Sequence, residues 1–229
     1  MTDYNIRNKE NGTDTVHYSF FSVVIATYNR AELLKRALES LILQTEKEWD
    51  AIIVDDGSTV DTYKQILPYL ESFPAIKYFS KSHSGIVPTK NQGIRLSEGK
   101  FITFLDSDDE YHPSHLEIRK QFLIRNPDIR FLYGGAEIIG NQYVPDKDDP
   151  SARINLRDCM IGGTFVIERE TLLSLNGFGD ITLGSDFDLC KRARERKIPM
   201  TEIETSTYIY HRENPDSVTN RMLGKVKNV

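Results

Sequence analysis

The chain has 229 residues, of which 39% are hydrophobic and 28% are charged, a composition typical of a soluble globular protein. Its net charge of -5 disfavours nucleic-acid binding, because nucleic-acid-binding domains usually carry clustered Lys and Arg. No apolar run approaches the ~20 residues that cross a bilayer, and the two cysteines, Cys159 and Cys190, are too few for a disulfide framework. We therefore expect a cytoplasmic protein that binds no nucleic acid.

Strands and helices alternate along the first half of the chain. Residues 1–18 are polar and unpatterned, so we predict a flexible arm there. The apolar run at 20–26 predicts a strand covered on both faces, and the helical spacing at 31–44 predicts a helix that begins in a capping box of Asn29 and Glu32. Further predicted elements are a strand at 51–54, a helix at 59–67 that ends near Pro68, a strand at 76–79, a helix that starts at Pro88 and ends before Gly99, a strand at 101–105 and a helix at 113–126. This order predicts an α/β domain with a mostly parallel sheet flanked by helices.

Three polar clusters, at residues 27–30, 55–58 and 106–109, follow predicted strands. Ligands of open parallel sheets bind beyond the carboxyl ends of the strands, so we expect the clusters to meet at one edge. Alternatively, residues 55–58 form only a turn with a helix cap, and residues 106–110 form a solvated turn or a calcium loop without EF-hand spacing. Four carboxylates lie within 106–110 and repel one another, and a bound divalent cation would offset that repulsion.

Familiar phosphate-binding loops are missing from the sequence. No Gly-x-Gly-x-x-Gly motif follows the first predicted strand, which argues against a dinucleotide site and against the glycine-rich loop of sugar nucleotidyltransferases. The segment 93–100 has glycines spaced one residue too far apart for a P-loop, and Phe101 replaces the required Ser or Thr. Any phosphate must therefore be bound in another way.

An ordered series of motifs runs along residues 20–211: VVIATYNR, LILQT, IIVDDGST, SGIVPTKNQGI, FLDSDD, GGTFVIERE, GFGD and GSDFDLCKRA. In this order and at these spacings the series resembles the inverting glycosyltransferases of family 2, which have the GT-A fold. The resemblance implies a single GT-A domain at 19–212. Its Rossmann-like nucleotide-sugar half would span 19–112 and its acceptor-binding half 113–212, followed by a tail at 213–229.

The resemblance implies a metal site at the end of the fourth strand. Asp106 and Asp108 match the family's Asp-x-Asp motif, which holds Mn²⁺ or Mg²⁺ against the two phosphates of the donor. Asp108 is the expected direct ligand, and Asp106 is also expected to contact the ribose or the donor sugar. His211 matches a histidine that completes the metal or diphosphate site in related enzymes, although a lone histidine is more often structural.

The same resemblance implies a nucleotide site. Thr27, Tyr28 and Asp56 match positions around the nucleoside, where a carboxylate that accepts an imide N–H and an aromatic ring for stacking suit uracil better than a purine. Lys90 stands where relatives often carry a phosphate-binding Arg, with a solvated helix lysine as the alternative. Ser107, between the two motif aspartates, is included among the donor contacts. The expected donor is a UDP-sugar.

Asp186 matches the position of the family's catalytic base. It would take the proton of the acceptor hydroxyl as that oxygen attacks the anomeric carbon with inversion. Ser185 departs from the family pattern, which usually has an acidic residue there. Alternatively, Asp186 only caps a predicted helix at 187–196. The resemblance also places residues 162–164 in the floor of the acceptor side, and Asp180 either faces that side or is solvated in a loop.

Two other functional classes remain open. A nucleotidyltransferase would share the metal carboxylates but needs the missing glycine-rich loop, whereas a non-catalytic nucleotide-sugar binding module would need no base such as Asp186. The Gln-x-x-Arg-Trp motif of processive synthases cannot occur, because Trp49 is the only tryptophan, so we expect a hexosyltransferase that adds one sugar. By analogy the acceptor is a saccharide or lipid-linked saccharide of surface polysaccharide or glycolipid biosynthesis, reached by transient contact with the inner membrane face.

Overall fold

The computed structural model describes residues 19–146, 149, 152–181 and 184–213. The predicted arm at 1–18 and the tail after residue 213 lie outside the described residues. The helices are α1 (Ala31–Ile42), α2 (Thr62–Ser72), α3 (Ile86–Leu96), α4 (His115–Arg125), α5 (Arg169–Ser174) and α6 (Ser185–Glu195). The strands are β1 (Phe21–Thr27), β2 (Trp49–Asp55), β3 (Ile76–Ser80), β4 (Phe101–Phe104), β5 (Glu110–Tyr111), β6 (Phe131–Tyr133), β7 (Ala136–Ile139), β8 (Tyr143–Pro145), β9 (Arg153–Asn155), β10 (Val166–Glu168), β11 (Met200–Glu202) and β12 (Tyr208–His211).

The central sheet has the strand order β11-β6-β10-β4-β1-β2-β3. Strands β1 to β4 pair in parallel, as do β6 and β11, whereas β10 runs antiparallel between β4 and β6. The predicted mostly parallel sheet is therefore confirmed. A smaller sheet, β5-β12-β7, and a hairpin of β8 and β9 lie beside it.

The core consists of two clusters, one on each face of the central sheet. Along β1, Val23 and Ile25 pack in one cluster with the apolar side of α1, while Val24 packs in the other with Ile94 of α3 and Leu189 of α6. This alternation follows from the two-residue period of a strand. Because both faces are covered, β1 and β2 are buried along their whole length, as their apolar sequences predict. Among the described residues, no helix combines the length and apolar character needed to span a bilayer.

The predicted capping box at the start of α1 is wrong. Arg30 is the N-cap residue, and no side chain caps this helix end. Asn29 adopts a positive φ of 52° and its Oδ1 accepts a hydrogen bond from the Thr59 amide at 2.8 Å. A partner distant in the sequence has therefore taken the side chain that the local pattern assigned to helix capping.

Helices α2 and α3 begin and end at different residues from those predicted. Pro68 lies inside α2, which continues to Ser72 because Tyr69 and Leu70, just beyond the proline, pack against the core. The start of α2 is capped by Asp61, which accepts a hydrogen bond from the Lys64 amide. Helix α3 begins before Pro88, which sits in the first turn, where its missing N–H leaves no hydrogen bond unmade.

Candidate active site

The three polar clusters meet at the carboxyl ends of β1, β2 and β4. The Asn29 amide donates to Ser58 Oγ at 2.8 Å, which joins the loops after β1 and β2. Arg30 Nη1 donates to Asp108 Oδ2 at 2.9 Å, which joins the loops after β1 and β4. Segments that are up to 78 residues apart in the sequence thus form one edge, as expected for parallel strands.

A cavity of about 230 Å³ opens at this edge and is lined by three of the predicted nucleotide residues, Thr27, Tyr28 and Asp56, and by Ser107. Thr27 is buried, and its Oγ1 has no hydrogen-bond partner among the described residues. A buried hydroxyl without a partner is unfavourable, so a ligand group that reached Thr27 would gain a hydrogen bond at little cost.

Asp56 organises the loop at residues 81–85. Its carboxylate accepts hydrogen bonds from the amides of Ser84 and Gly85 and from Lys81 Nζ, and Oδ2 lies 2.8 Å from His83 Nδ1. Burial raises the pKa of Asp56, but the hydrogen bonds lower it by a larger amount. The pKa of Asp56 is therefore below its ordinary value. The sequence did not identify Lys81 and His83 as partners of Asp56, since nothing in the local pattern connects them with that residue.

The aromatic ring predicted to stack on a base already has a neighbour. Tyr28 stacks on His83 with ring centroids 4.3 Å apart and planes 26° apart. The two rings are in contact, so no base fits between them as they stand. His83 is more than half exposed, at 56% of its side chain, so a base could replace it on Tyr28 if its contacts with Asp56 were broken.

Lys90 is buried and pairs with a motif aspartate. Its Nζ lies 2.8 Å from Asp106 Oδ1 and within 6 Å of the ring centres of Phe104 and Phe178. Burial alone would lower the pKa of Lys90, but the carboxylates of Asp106 and Asp186 raise it above its ordinary value. The alternative of a solvated helix lysine is therefore wrong.

The second motif aspartate faces an arginine that the sequence did not single out. Asp108 pairs with Arg30, and both side chains are largely buried, with 10% and 18% exposed. Arg36 Nη2 donates to the Asp108 backbone carbonyl, and Arg36 Nε lies 3.5 Å from Glu110 Oε2. Two arginines from the start of α1 thus neutralise the loop that follows β4.

Asp109, which the prediction treated as part of the acidic cluster, is a structural anchor. Its buried carboxylate accepts hydrogen bonds from the Tyr208 hydroxyl at 2.6 Å and the His211 amide at 2.8 Å. Burial and the neighbouring charges of Asp106 and Asp108 raise the pKa of Asp109 well above its ordinary value. These bonds attach β12 to the motif loop.

His211 lies beside the motif loop, on β12. Its Nε2 is 2.6 Å from Glu110 Oε2, while its Nδ1 is buried and has no partner among the described residues. A histidine with one nitrogen held by a carboxylate and the other available has the arrangement of a metal ligand. In the described part of the chain, no group of three or more His, Cys, Asp or Glu side chains is arranged to hold a metal ion.

Asp186 lies at the second position of α6, but it does not cap that helix. The N-cap is Gly184, with a φ of 84° and no side-chain cap hydrogen bond. Asp186 Oδ2 instead accepts a hydrogen bond from the Gly162 amide at 2.9 Å. Gly162 must be glycine for this approach, since a Cβ there would lie 2.6 Å from Asp186 Oδ1.

The surroundings of Asp186 disfavour its charged form. Burial raises its pKa above the ordinary value, Lys90 opposes that shift, and Asp106 adds to it. Asp180 is exposed, and Asp188 is held by Arg192 Nε at 2.7 Å within α6. Asp186 is half-buried and has a raised pKa, which is the environment that tunes a carboxylate for proton transfer.

This fold, with carboxylates at the rim of a mostly parallel sheet, is that of the GT-A proteins. The structure of residues 1–349 of TarS from S. aureus in complex with UDP-GlcNAc matches 86% of this chain and 60% of that one, with a TM-score of 0.73 and 20% identity. The mannosyltransferase PcManGT from Pyrobaculum calidifontis, in complex with GDP-Man and Mn²⁺, matches 85% of this chain and 57% of that one, with a TM-score of 0.68 and 16% identity. The predicted GT-A fold is confirmed.

The family follows from the sequence comparison. Residues 22–154, more than half of the chain, match Glycosyl transferase family 2, and the chain belongs to this family of glycosyltransferases. The Escherichia coli protein named UDP-Glc:alpha-D-GlcNAc-diphosphoundecaprenol beta-1,3-glucosyltransferase WfgD is 30% identical over 158 residues, which are 67% of this chain and 61% of WfgD. The chain spans between 17% and 61% of the length of the first curated relatives that it matches.

Proposed function

We propose that this chain is the catalytic domain of a metal-dependent, inverting glycosyltransferase that moves one sugar from a UDP-sugar to an acceptor hydroxyl. One observation supports this proposal above the others. Lys90 pairs with the motif residue Asp106 and is close enough to Asp186 for each charge to shift the other's pKa. The carboxylates proposed for donor binding and the carboxylate proposed as base thus lie in one electrostatic unit.

The nucleoside of the donor would enter the cavity at Thr27 and Tyr28. The unpartnered Thr27 hydroxyl would gain a hydrogen bond, and the base would stack on Tyr28 after His83 swings away. The same movement frees one lone pair on Asp56 for the imide N–H of uracil. Guanine also has a ring N–H, but the larger purine holds that group farther from the ribose than uracil does. UDP is the nucleotide in the TarS complex and UDP-Glc is the donor in the name of WfgD, which agrees with this choice.

The diphosphate would lie between the motif loop and the cations around it. Arg30 and Lys90 already face carboxylates at this point and can turn to phosphate oxygens, Arg30 as a fork and Lys90 as a point charge. Asp108, Asp106 and His211 Nδ1 would hold Mn²⁺ or Mg²⁺ only after the two cations had turned away from the carboxylates, since among the described residues no such trio is arranged around a metal position as it stands. Phosphate and water would supply the remaining ligands. When bound, the cation would stabilise negative charge on the departing diphosphate.

Asp186 would act as the general base. Its Oδ2 is held by the Gly162 amide, which fixes the orientation of the carboxylate. Its Oδ1 accepts a long hydrogen bond from Ser185 Oγ at 3.5 Å, which the acceptor hydroxyl would replace or share. The hydroxyl oxygen attacks the anomeric carbon, its proton passes to Asp186, and the bond to the diphosphate breaks on the opposite face, which inverts the configuration. A module that only binds nucleotide sugars would not need this carboxylate.

The acceptor is proposed to be a saccharide or a lipid-linked saccharide, in polysaccharide or glycolipid biosynthesis. The name of WfgD describes an acceptor linked to diphosphoundecaprenol. An acceptor of that kind would bring a cytoplasmic enzyme to the inner face of the membrane.

Calorimetric titration with UDP tests the donor and metal assignments. We expect UDP to bind in Mn²⁺, to bind more weakly after EDTA treatment, and to bind more tightly than GDP. Asp108→Asn should weaken binding in Mn²⁺ only, while Asp128→Asn, at an exposed site, is the matched control. Equal affinity in Mn²⁺ and EDTA would overturn the metal assignment, and equal affinity for UDP and GDP would overturn the base assignment.

A further inference from the structure

One buried tyrosine contacts both sides of the candidate active site. Tyr208 is the first residue of β12 and is fully buried. Its hydroxyl donates a hydrogen bond to Asp109 Oδ2 at 2.6 Å and accepts a longer one, of 3.3 Å, from the Asp106 amide. The Asp109 amide in turn donates to the Asp106 carbonyl at 2.9 Å, which closes the motif loop at residues 106–109. The phenol hydroxyl therefore holds both ends of the loop that carries Asp106 and Asp108.

The same ring also contacts the turn that orients Asp186. A Cβ on Gly163 would lie 2.2 Å from Cζ of Tyr208 and 2.3 Å from its hydroxyl oxygen, so the bare backbone of Gly163 packs against the phenol. The preceding residue, Gly162, donates its amide hydrogen to Asp186 Oδ2 at 2.9 Å. Two successive glycines thus place one short turn in contact with Tyr208 at one residue and with Asp186 at the other.

Tyr208 is itself held in place by its strand. β12 pairs with β5 and with β7, and the residues paired with Tyr208 are Tyr111 and Ala136. The Tyr208 amide donates to the Gly135 carbonyl at 3.1 Å, and the Tyr111 ring packs edge-on, with ring centroids 5.8 Å apart. A side chain that packing locks in this way keeps the groups that it contacts at a fixed spacing.

The Tyr208 hydroxyl is not needed to attach the motif loop to the fold. Asp109 also accepts a hydrogen bond from the His211 amide at 2.8 Å, and Lys90 Nζ lies 2.8 Å from Asp106 Oδ1. These contacts remain when the hydroxyl is removed. What the hydroxyl adds is a direct link between the backbone of Asp106 and the ring against which the turn at 162–164 packs.

We propose that Tyr208 is a positioning residue, which sets the distance between the motif loop and Asp186. The inference rests on the proposed function, because it takes the motif loop as part of the donor site and Asp186 as the base. Tyr208 touches neither substrate. It acts through the Asp106 amide on the donor side and through the turn at 162–164 on the acceptor side. Sugar transfer requires the acceptor oxygen and the anomeric carbon to lie about 3 to 3.5 Å apart and in line, so a small change in this distance slows the chemical step while each substrate still binds.

Tyr208→Phe tests this proposal, because it keeps the ring that packs against Gly163 and removes only the hydroxyl. Tyr69→Phe is the matched control. The Tyr69 hydroxyl also donates to a carboxylate, that of Glu39 at 2.8 Å, but it joins α2 to α1 and contacts neither the motif loop nor the turn at 162–164. Release of UDP from UDP-glucose and UDP-N-acetylglucosamine, with a panel of methyl glycosides as acceptors, gives kcat and the donor KM. Calorimetry gives UDP affinity in Mn²⁺, and thermal denaturation gives the melting temperature, well below which the kinetics are measured.

We expect Tyr208→Phe to lower kcat at least about tenfold, because a misplacement of about 1 Å costs roughly 100-fold. UDP affinity and donor KM should change by less than about threefold, which is the pattern of an interaction that matters only in the transition state. Tyr69→Phe should keep the kcat of the wild type. A loss confined to the melting temperature would make Tyr208 purely structural and overturn the inference, as would a loss of UDP affinity as large as the loss of kcat.

Gly163→Ala disturbs the same contact from the other side and provides the test if Tyr208→Phe does not fold. Its added methyl group pushes the turn away from the ring, so kcat should again fall at least about tenfold while UDP affinity stays near that of the wild type. Wild-type kcat in either folded variant would overturn the inference. A wild-type protein that does not bind UDP, or releases none from either UDP-sugar, would refute the proposed function itself, so the two failures are distinguishable.

Discussion

Asp186→Asn separates catalysis from binding in this domain. Asparagine keeps the shape of aspartate and can still accept the Gly162 amide hydrogen through its carbonyl oxygen, but it cannot take a proton. Loss of a general base costs on the order of 10²- to 10⁴-fold in rate, or about 3 to 5 kcal/mol of transition-state stabilisation. UDP affinity in Mn²⁺ should change far less than the turnover rate, because the hydrogen bonds of Asp186 are to Gly162 and Ser185 and its link to the donor-binding Lys90 is only electrostatic.

The stability of this variant follows from the pKa of the residue that it replaces. Burial raises the pKa of Asp186, so its ionised form lowers the stability of the fold at neutral pH, and a neutral asparagine relieves that cost. The hydrogen bond from the Gly162 amide is weaker to an uncharged asparagine than to a carboxylate, and this weakening lowers the stability by about 1 kcal/mol. The two effects oppose each other, and we expect little change in melting temperature.

The assay is release of UDP from UDP-glucose and UDP-N-acetylglucosamine, with a panel of methyl glycosides tested as acceptors. Asp188→Asn is the matched control on the same helix. Because Asp188 pairs with Arg192, its loss should lower stability by about 0.3 to 0.5 kcal/mol and leave turnover intact. Wild-type turnover in Asp186→Asn, or equal loss in both variants, would refute the assignment of the base.

Three further predictions follow from the same contacts. The pH profile of kcat/KM should fall on its acid side above the ordinary aspartate pKa of 3.8, because burial raises the pKa of Asp186 and the base must be ionised; a limb at or below 3.8 would contradict this environment. Arg30→Gln should bind Mn²⁺ several-fold more tightly in the absence of UDP, since it removes the cation 2.9 Å from Asp108, and should bind UDP more weakly; electron paramagnetic resonance titration measures the first effect and calorimetry the second. Gly163→Ala should lower the free energy of unfolding by about 1 to 3 kcal/mol in a urea titration, because its Cβ would lie 2.2 Å from Cζ of the fully buried Tyr208, and an unchanged midpoint would contradict that packing.

The parts of the fold that sequence predicts well are those in which local pattern and tertiary packing agree. The apolar runs of β1 and β2 are buried on both faces, and a run of that kind has few alternatives to a central strand. Chain direction then places the residues after β1, β2 and β4 at the same edge without any knowledge of side-chain contacts. The position of the candidate site was therefore predictable from strand order alone.

Individual partners in that site were not predictable, because they come from distant segments. Lys81 and His83 hold Asp56, and Tyr208 holds Asp109 from 99 residues away. No spacing rule connects such positions. The same reason explains the failed capping box. Asn29 is a residue type that commonly caps helices, but Thr59, which is distant in the sequence, offers its side chain a competing hydrogen bond.

The acidic cluster at residues 106–110 shows how an expectation from the sequence differs from the contacts in the structure. The sequence predicts that a bound divalent cation offsets the repulsion among its four carboxylates. The structure instead gives each carboxylate a partner within the chain: Asp106 pairs with Lys90, Asp108 with Arg30, Asp109 with the Tyr208 hydroxyl and the His211 amide, and Glu110 with Arg36 and His211. These contacts offset part of the repulsion within the chain, and the part that remains is seen in Asp109, whose pKa is raised by the charges of Asp106 and Asp108.

This pairing bears directly on how the proposed donor would bind. Arg30 and Lys90 neutralise the motif carboxylates when no ligand is bound, and the same two side chains are positioned to meet a diphosphate. An incoming cation would bind the carboxylates in place of Arg30 and Lys90, and the phosphates that arrive with it would bind the arginine and the lysine. Charge is then balanced both before and after binding. If the cation or the diphosphate bound alone, a buried charge would be left unpaired. Metal and nucleotide should consequently enter this site as one unit, each raising the affinity of the other by the same factor.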